Sequence, residues 1–304
     1  MKNILFFTEI YKDLGSGNLV RSLHLLNFLK KKSPHFKLFL SIDDSGLIKE
    51  TNLLDNKVDV ISLNELKNFF FDCVIYDSSN PNIENINFLN NISKKIVALD
   101  FFNYEIQINS IINLYCHNSD NLNKFKGNLY SGLNYAIISE KIIKSKIKKN
   151  NFKNRILVSF GGEDPKNNTL KVLDYLNKIN EKSLSVRVLV GELNKNKKEI
   201  LKYNKLFKVT GHTNKIHEIY KKTDVIICGG GTTLLEALFL NIPAIVLPQN
   251  KFEEKFVLHI SKNTNIFKLS NLKNISKIFE KMKKNSHKSV DGMGKKRISK
   301  IILS

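Results

Sequence analysis

The chain has 304 residues, a formal net charge of +21, and a composition that is 42% hydrophobic and 25% charged. At roughly 100–200 residues per domain this length suits two domains, and the composition is that of a globular protein with buried cores, not a disordered or fibrous chain. No apolar run approaches the ~20 residues of a bilayer-spanning helix, and the apolar start Ile4-Leu5-Phe6-Phe7 stops at Thr8-Glu9 with no small-residue cleavage site, so it reads as the first buried strand of a cytoplasmic protein.

Strand and helix patterns alternate along the chain. A strand over residues 4–8 is followed by a glycine-containing loop and a helix over 18–32, in which Leu19, Leu23, Leu26 and Leu29 recur at helical spacing. Ser33-Pro34 ends that helix. Further strands are expected over 37–42, 73–76, 96–99 and 111–115. The glycine-free, lysine-rich stretch 140–154 reads as an interdomain connection, dividing residues 1–145 from 146–304, with the last helix able to pack back on the first domain. The pattern then restarts: strand 155–160, helix 169–179, strand 186–190, strand 207–209, helix 217–222, strand 225–228, helix 232–240 and strand 244–247. This βαβ alternation predicts α/β architecture, two Rossmann-like doubly wound domains facing a cleft.

The 3 cysteines, Cys73, Cys116 and Cys228, have neither metal-ligand nor redox-motif spacing. No metal or cofactor motif is present. The basic charge raises nucleic acid as a partner, but only Arg21, Arg155, Arg187 and Arg297 are arginines, the residue preferred for bidentate phosphate and base recognition. No specific nucleic-acid partner is expected. A basic surface still attracts anionic headgroups or ligands, which is compatible with peripheral membrane contact. Nothing in the sequence fixes an oligomeric state.

In open α/β sheets ligands gather beyond the carboxyl ends of the strands. After strand 225–228 come Gly229-Gly230-Gly231-Thr232-Thr233 and a helix start. Glycines let the backbone approach a ligand, and the helix start offers unpaired N–H groups that suit a diphosphate. Glu236 lies near the same helix end, where a carboxylate can accept from two ribose hydroxyls. Alternatively, Thr233 and Glu236 form a capping box and bind nothing. Gly161-Gly162 is a second glycine turn after a strand, Gly211 and His212 end another, and Gln249 and Asn250 follow the strand near 247. In the first half, Gly15-Ser16-Gly17-Asn18 opens the first helix. Asn18 suits an N-cap, and Arg21 one turn later either reaches an anion or lies on a solvated face. Asp43-Asp44 after the second strand would suit a nicotinamide ribose and keeps an oxidoreductase open. Asp77 also ends a strand, and His24 is a further candidate base.

Taken together, Gly15-x-Gly17-Asn18-x-x-Arg21, Gly132-Leu133-Asn134-Tyr135-Ala136, Ser159-Phe160-Gly161-Gly162-Glu163-Asp164-Pro165, Gly230-Gly231-Thr232-Thr233-Leu234-x-Glu236 and Asp291-Gly292-Met293-Gly294-x-x-Arg297 resemble the UDP-sugar hydrolases of the pseudaminic acid pathway and their spore-coat polysaccharide relatives. These have the glycosyltransferase-B fold and are similar to the lipid II GlcNAc transferase. The resemblance implies a nucleotide held by the second domain, with Gly161, Gly162, Gly230, Gly231, Thr232 and Thr233 at the diphosphate, Glu236 at the ribose, and Gly211 to Ile216 by the uracil. Gly17, Gln249 and Asn250 fall to the sugar or acceptor side. Asp77, Asn18 and Arg21 are the catalytic candidates. Two departures matter: Asn18 stands where the hydrolases carry histidine, and Tyr76-Asp77-Ser78-Ser79 stands where they carry Asp-His-Tyr. Asn cannot take a proton near neutral pH. Transfer to a sugar or polysaccharide acceptor is therefore expected ahead of hydrolysis, with a catalytically silent sugar-nucleotide binder as a further alternative.

Overall fold

The computed structural model describes residues 2–10, 17–43, 59–78, 80–101, 103, 105–114, 124–145, 154–179, 184–211, 213, 215–261, 266–268 and 289–304. Gly15, Asp44, Ser79, Cys116, His212 and most of the expected connection, 146–153, lie outside the described residues. Two compact units form, Met1–Ile137 with Gly292–Ser304, and Ile138–Asp291.

In the first unit β1 (Asn3–Glu9), α1 (Gly17–Lys32), β2 (Lys37–Asp43), β3 (Asp59–Val60), α2 (Leu63–Leu66), β4 (Cys73–Ser78), α3 (Ile83–Asn91), β5 (Ile96–Leu99), β6 (Ser110–Asn113) and β7 (Asn128–Ser131) follow one another. The second unit holds α4 (Glu140–Lys144), β8 (Arg155–Ser159), α5 (Asn168–Ile179), β9 (Ser185–Leu189), α6 (Lys197–Lys202), β10 (Lys208–Thr210), α7 (Ile216–Tyr220), β11 (Val225–Cys228), α8 (Thr232–Leu240), β12 (Ala244–Val246), α9 (Lys251–Ile260) and β13 (Ile266–Lys268). A last helix, α10 (Gly294–Leu303), returns to the first unit. The stretch expected as a bare connection begins with helix α4, capped by Ser139, whose side chain accepts from the Ile142 N–H.

The first sheet has strand order β3-β2-β1-β4-β5-β6-β7 and the second β10-β9-β8-β11-β12-β13, with parallel pairing recorded between neighbours throughout. Both orders reverse direction once, between β1 and β4 and between β8 and β11, and such switch points are where this class of sheet opens a crevice. β4 is buried along its whole length, as a strand covered on both faces must be. On one face Ile4, Phe6 and Ile75 pack with Leu25, Leu26 and Leu29 of α1 and Ile298 and Ile302 of α10. On the other Leu5, Phe7, Val74 and Tyr76 pack with Ile86 and Leu89 of α3. Alternation along each strand sends successive side chains to opposite faces. The polar residues Asp77 and Ser78 of β4, and Glu9 of β1, are left at the carboxyl ends.

The second unit repeats the scheme. Ile156, Val158, Val186, Val188, Val225 and Ile227 pack with Val172, Leu173 and Leu176 of α5. Two motif segments that are far apart in the sequence meet in the first unit. The Arg297 Nη1 donates to the Asn134 carbonyl at 2.9 Å, and a Cβ at Gly294 would stand 2.2 Å from the Ala136 carbonyl oxygen. Gly294 thus lets α10 close on the turn Leu133–Tyr135. Replacing it forces the two backbones apart, so Gly294→Ala is expected to cost about 1–3 kcal/mol of stability in urea unfolding, the range for overpacking; an unchanged midpoint would show that α10 does not need this contact.

Candidate functional site

The second unit carries the two glycine turns, one after β8 and one after β11. β8 and β11 end in register, with Ser159 beside Cys228, so the turn after Phe160 and the turn after Cys228 flank one switch point. Gly161 takes a φ of +81° in an exposed turn with open space beside it. Gly162 sits deeper: its carbonyl accepts the Leu193 N–H at 3.1 Å and would lie 2.1 Å from a Cβ at Gly191.

The two helices that leave these turns differ at their starts. At α5 the Asp164 carboxylate is buried and accepts the N–H of Asn168 at 2.8 Å and of Thr169 at 2.7 Å, so this helix carries its own anion. At α8 the N-cap is Gly231, which has no side chain to offer. Thr232 and Thr233 open the helix, and their N–H groups have no acceptor among the described residues. A capping box is excluded: Leu234 occupies the third helical position, and Glu236 lies beyond reach of that role.

Gly230 is buried and its N–H donates to Glu253 Oε2 at 2.7 Å, while a Cβ would meet the Glu253 Cβ at 2.8 Å. It serves close packing against α9, leaving Gly231 as the exposed member of the turn. Asn250 is the N-cap of α9, its side chain accepting from the Glu253 N–H at 2.8 Å. Gln249 is half-buried; it donates from Nε2 to the Phe160 carbonyl at 2.9 Å and ties the end of β8 to the start of α9. Gly211 ends β10 with open space beside it, and Ile216 opens α7.

Glu236 is only 7% exposed and accepts from the buried Tyr220 hydroxyl at 2.7 Å. Thr233 in turn hydrogen-bonds the Tyr220 phenol. Burial pushes the Glu236 carboxyl up to about 7, with the Tyr220 bond working the other way. Burial also pushes the Tyr220 phenol well above its ordinary value. Glu253 is raised by burial as well, against the N–H groups of Gln249 and Gly230 that it accepts.

In the first unit the site is an ion network at the end of β4. Asp77 is fully buried. Arg21 donates from Nε to Asp77 Oδ2 at 2.7 Å, from Nη2 to Asp77 Oδ1, and from Nη1 to Asp100 Oδ2. Ser22 donates a further bond to Asp77 Oδ2 at 3.0 Å. Burial disfavours the Arg21 cation, but Asp77 and Asp100 outweigh it and lift its pKa above the ordinary value. Both Asp77 oxygens are engaged and the side chain is fully buried, so in this arrangement it positions Arg21. Arg21 is not on a solvated face; its side chain is 19% exposed. Three of the five guanidinium N–H groups are used, leaving one on each terminal nitrogen. Asn18 lies inside the first turn of α1, buried, and is not its N-cap, while Gly17 opens the helix and is exposed. His24 is half-buried further along α1.

On the other face of the same edge, Glu9 is buried and accepts from the Tyr76 hydroxyl at 2.7 Å and from Asn85 Nδ2 at 2.8 Å. Asn85 also donates to Asp43 Oδ2 at 3.0 Å. Asp43 thus takes part in this network. Asp100 and Glu9 each sit at the end of a strand pattern, the position that marked Asp77. Tyr220 and Glu253 have no such local signal and reach the site only through folding. Among the described residues no group of His, Cys, Asp and Glu has the arrangement of a metal site, and no helix is long and apolar enough to cross a membrane.

Two predictions follow from these buried carboxylates. Asp77→Asn leaves the buried Arg21 with only Asp100 and should cost about 3 kcal/mol in urea unfolding; a loss below ~0.5 kcal/mol, the size of an exposed pair, would contradict the network. Glu236 keeps in the folded chain a proton that the unfolded chain gives up between about pH 4.5 and 7, so stability falls as pH rises through that window. Glu236→Gln does not titrate. Its stability relative to the unsubstituted protein should grow from pH 4.5 to 7, by on the order of a few kcal/mol, and level off above. Melting both proteins across that range checks the sign; a constant difference would rule out the raised pKa.

Comparison with known proteins places this geometry. Residues 156–264 match the glycosyltransferase family 28 C-terminal domain. The chain is 30% identical over 276 residues to an uncharacterized protein of Methanocaldococcus jannaschii, a match covering 83% of this chain and 57% of that protein. It is 27% identical over 128 residues to the spore coat polysaccharide biosynthesis protein SpsG of Bacillus subtilis, covering 40% of this chain and 38% of SpsG. The matches therefore span about half the length, or less, of these relatives. Among solved structures, UDP-GlcNAc 2-epimerase from Neisseria meningitidis bound to UDP-GlcNAc superposes with a TM-score of 0.64 at 13% identity, covering 99% of each chain. MurG of Acinetobacter baumannii gives 0.62 at 11% identity, covering 100% of this chain and 99% of that one. The two α/β units with parallel sheets have the fold of glycosyltransferase-B proteins.

Proposed function

We propose that this chain acts on a UDP-activated amino sugar, breaking the anomeric C–O bond and passing the glycosyl group to a sugar or polysaccharide acceptor in surface-glycan or nonulosonic acid biosynthesis. The observation that carries this reading is the start of α8: a helix at the switch point, inside the stretch that matches the glycosyltransferase domain, with no side chain on its first N–H groups. A diphosphate supplies the anion that Asp164 supplies at α5.

The chemistry assigns parts to groups of each unit. When the anomeric bond breaks, its electron pair stays on the diphosphate oxygen and UDP leaves. The acceptor hydroxyl oxygen forms the new bond to the anomeric carbon and gives up its proton. Charge builds on the diphosphate in that transition state, and the fixed N–H groups of Thr232 and Thr233 stabilise it without reorganising. Glu236 keeps lone pairs beyond the one that accepts from Tyr220 and takes the ribose hydroxyls. Arg21, charged and held by Asp77 and Asp100, offers its two remaining N–H groups to an anionic or hydroxyl-bearing ligand. The epimerase bound to UDP-GlcNAc and the spore-coat polysaccharide relative support a UDP-sugar and a glycan product.

Water as the acceptor is the second reading, and Asn18 bears on it. In the resembling hydrolases this position is a histidine; here it is a buried amide that takes no proton near neutral pH. A glycan acceptor is favoured for that reason. Calorimetric titration with UDP tests the nucleotide site: Glu236→Ala should weaken binding by about 1–3 kcal/mol, the cost of leaving polar partners unpaired. UDP release from UDP-amino sugars, with and without oligosaccharide acceptors, then separates transfer from hydrolysis. Unchanged UDP affinity in the variant would remove the site assignment, and tight UDP binding with no release under any condition would leave a silent binder.

A further inference from the structure

A second basic site lies on the second unit, along the flank of α7. Arg187 sits in β9 between Val186 and Val188, which both face the α5 core. Alternation therefore turns Arg187 to the opposite face of the sheet. There it lines a groove of about 190 Å³ with Thr210, Thr213, Lys215, Ile219 and Lys222. That space is several times the roughly 30 Å³ of one water, enough for a tetrahedral oxyanion and its hydration. No carboxylate forms an ion pair with Arg187, Lys215 or Lys222 among the described residues. Glu218 also lines the groove, where it is engaged by Lys221 at 2.8 Å and interacts electrostatically with Lys222. The Thr213 Oγ1 accepts the Lys215 N–H at 3.1 Å, so its own proton remains to be donated.

The groove is separate from the α8 start. Lys222 precedes β11 and Gly229 follows it, and a strand of this length spans about 13 Å. Cations that outnumber the one lining carboxylate and converge with hydroxyl donors on one concavity recognise an oxyanion, and a guanidinium beside two ammonium groups fits the oxygens of phosphate.

We propose that this groove binds a phosphate group, as free phosphate or a phosphorylated small molecule or as the headgroup of an anionic lipid, at a place distinct from the α8 start, although Thr213 and Lys215 belong to the segment that the resemblance puts by the uracil. Equilibrium dialysis of the full chain with radiolabelled inorganic phosphate, and sedimentation with phosphatidylglycerol vesicles against phosphatidylcholine vesicles, separate the two sources. Arg187→Gln/Lys222→Gln should weaken whichever probe binds by at least ~10-fold, as expected when two charge-assisted contacts are lost, and should leave UDP affinity unchanged. Lys215→Gln, a change at an exposed side chain, keeps the test open should the double variant fold poorly, and should weaken the same probe. Lys198→Gln/Lys205→Gln removes equal charge on α6 and the turn after it and should change nothing. Binding of neither probe by the unsubstituted protein overturns the proposal. So does equal loss in the α6 control, which would reduce the effect to net charge. A parallel loss of UDP affinity would instead merge the groove with the nucleotide site, while unchanged phosphate binding with lost UDP affinity in Glu236→Ala would damage only the sugar-nucleotide reading.

Discussion

A parallel strand buried on both faces has only its ends for chemistry, and both units are organised by that constraint. β4 has no exposed residue, so a charged group in its middle would lack solvent and partners alike. Glu9, Asp77 and Asp100 accordingly lie where β1, β4 and β5 stop. In the second unit the same edge carries glycine turns. The switch points between β1 and β4 and between β8 and β11 are where diverging connections leave room for these groups. One sheet edge became an ion network, the other a backbone cradle.

The buried carboxylates at these edges meet the cost of desolvation in different ways. Asp77 has a guanidinium and a hydroxyl on it, a pairing that fixes the arginine as firmly as the acid. Asp164 and Glu253 take backbone N–H groups at turns and helix starts. Glu236 has one phenol on it, and burial pushes its carboxyl up to about 7. An acid with spare lone pairs, set one turn into the helix whose start lacks a capping side chain, suits a ligand that brings its own hydroxyls. The two helix starts differ in that α5 is capped by Asp164 and α8 has no capping side chain.

Much of this was legible in the residues. The strands at 96–99 and 225–228 and the helix at 232–240 fall where periodicity puts them, because their apolar runs are unbroken and their boundaries carry glycine or lysine. The helix expected over 18–32 begins one residue earlier, at Gly17, which moves Asn18 from cap to buried first turn. The short strand β3 and helix α2 left no period to read. Helix α9 was hidden because its N-cap, Asn250, resembles a loop residue until the helix it serves is known.

The sequence by itself determined the class of fold, the two-unit repetition and the glycine-threonine turn at 229–233, since buried parallel strands and tight turns impose composition over a few consecutive residues. Only the tertiary structure decided which groups are spent. That Asp77 is locked to Arg21, that Gly230 is used in packing on α9, and that Tyr220 reaches Glu236 all join positions 16 to 56 residues apart. Hydrogen-bond satisfaction is a property of atoms brought within about 3 Å of one another, and no local pattern along the chain records that distance.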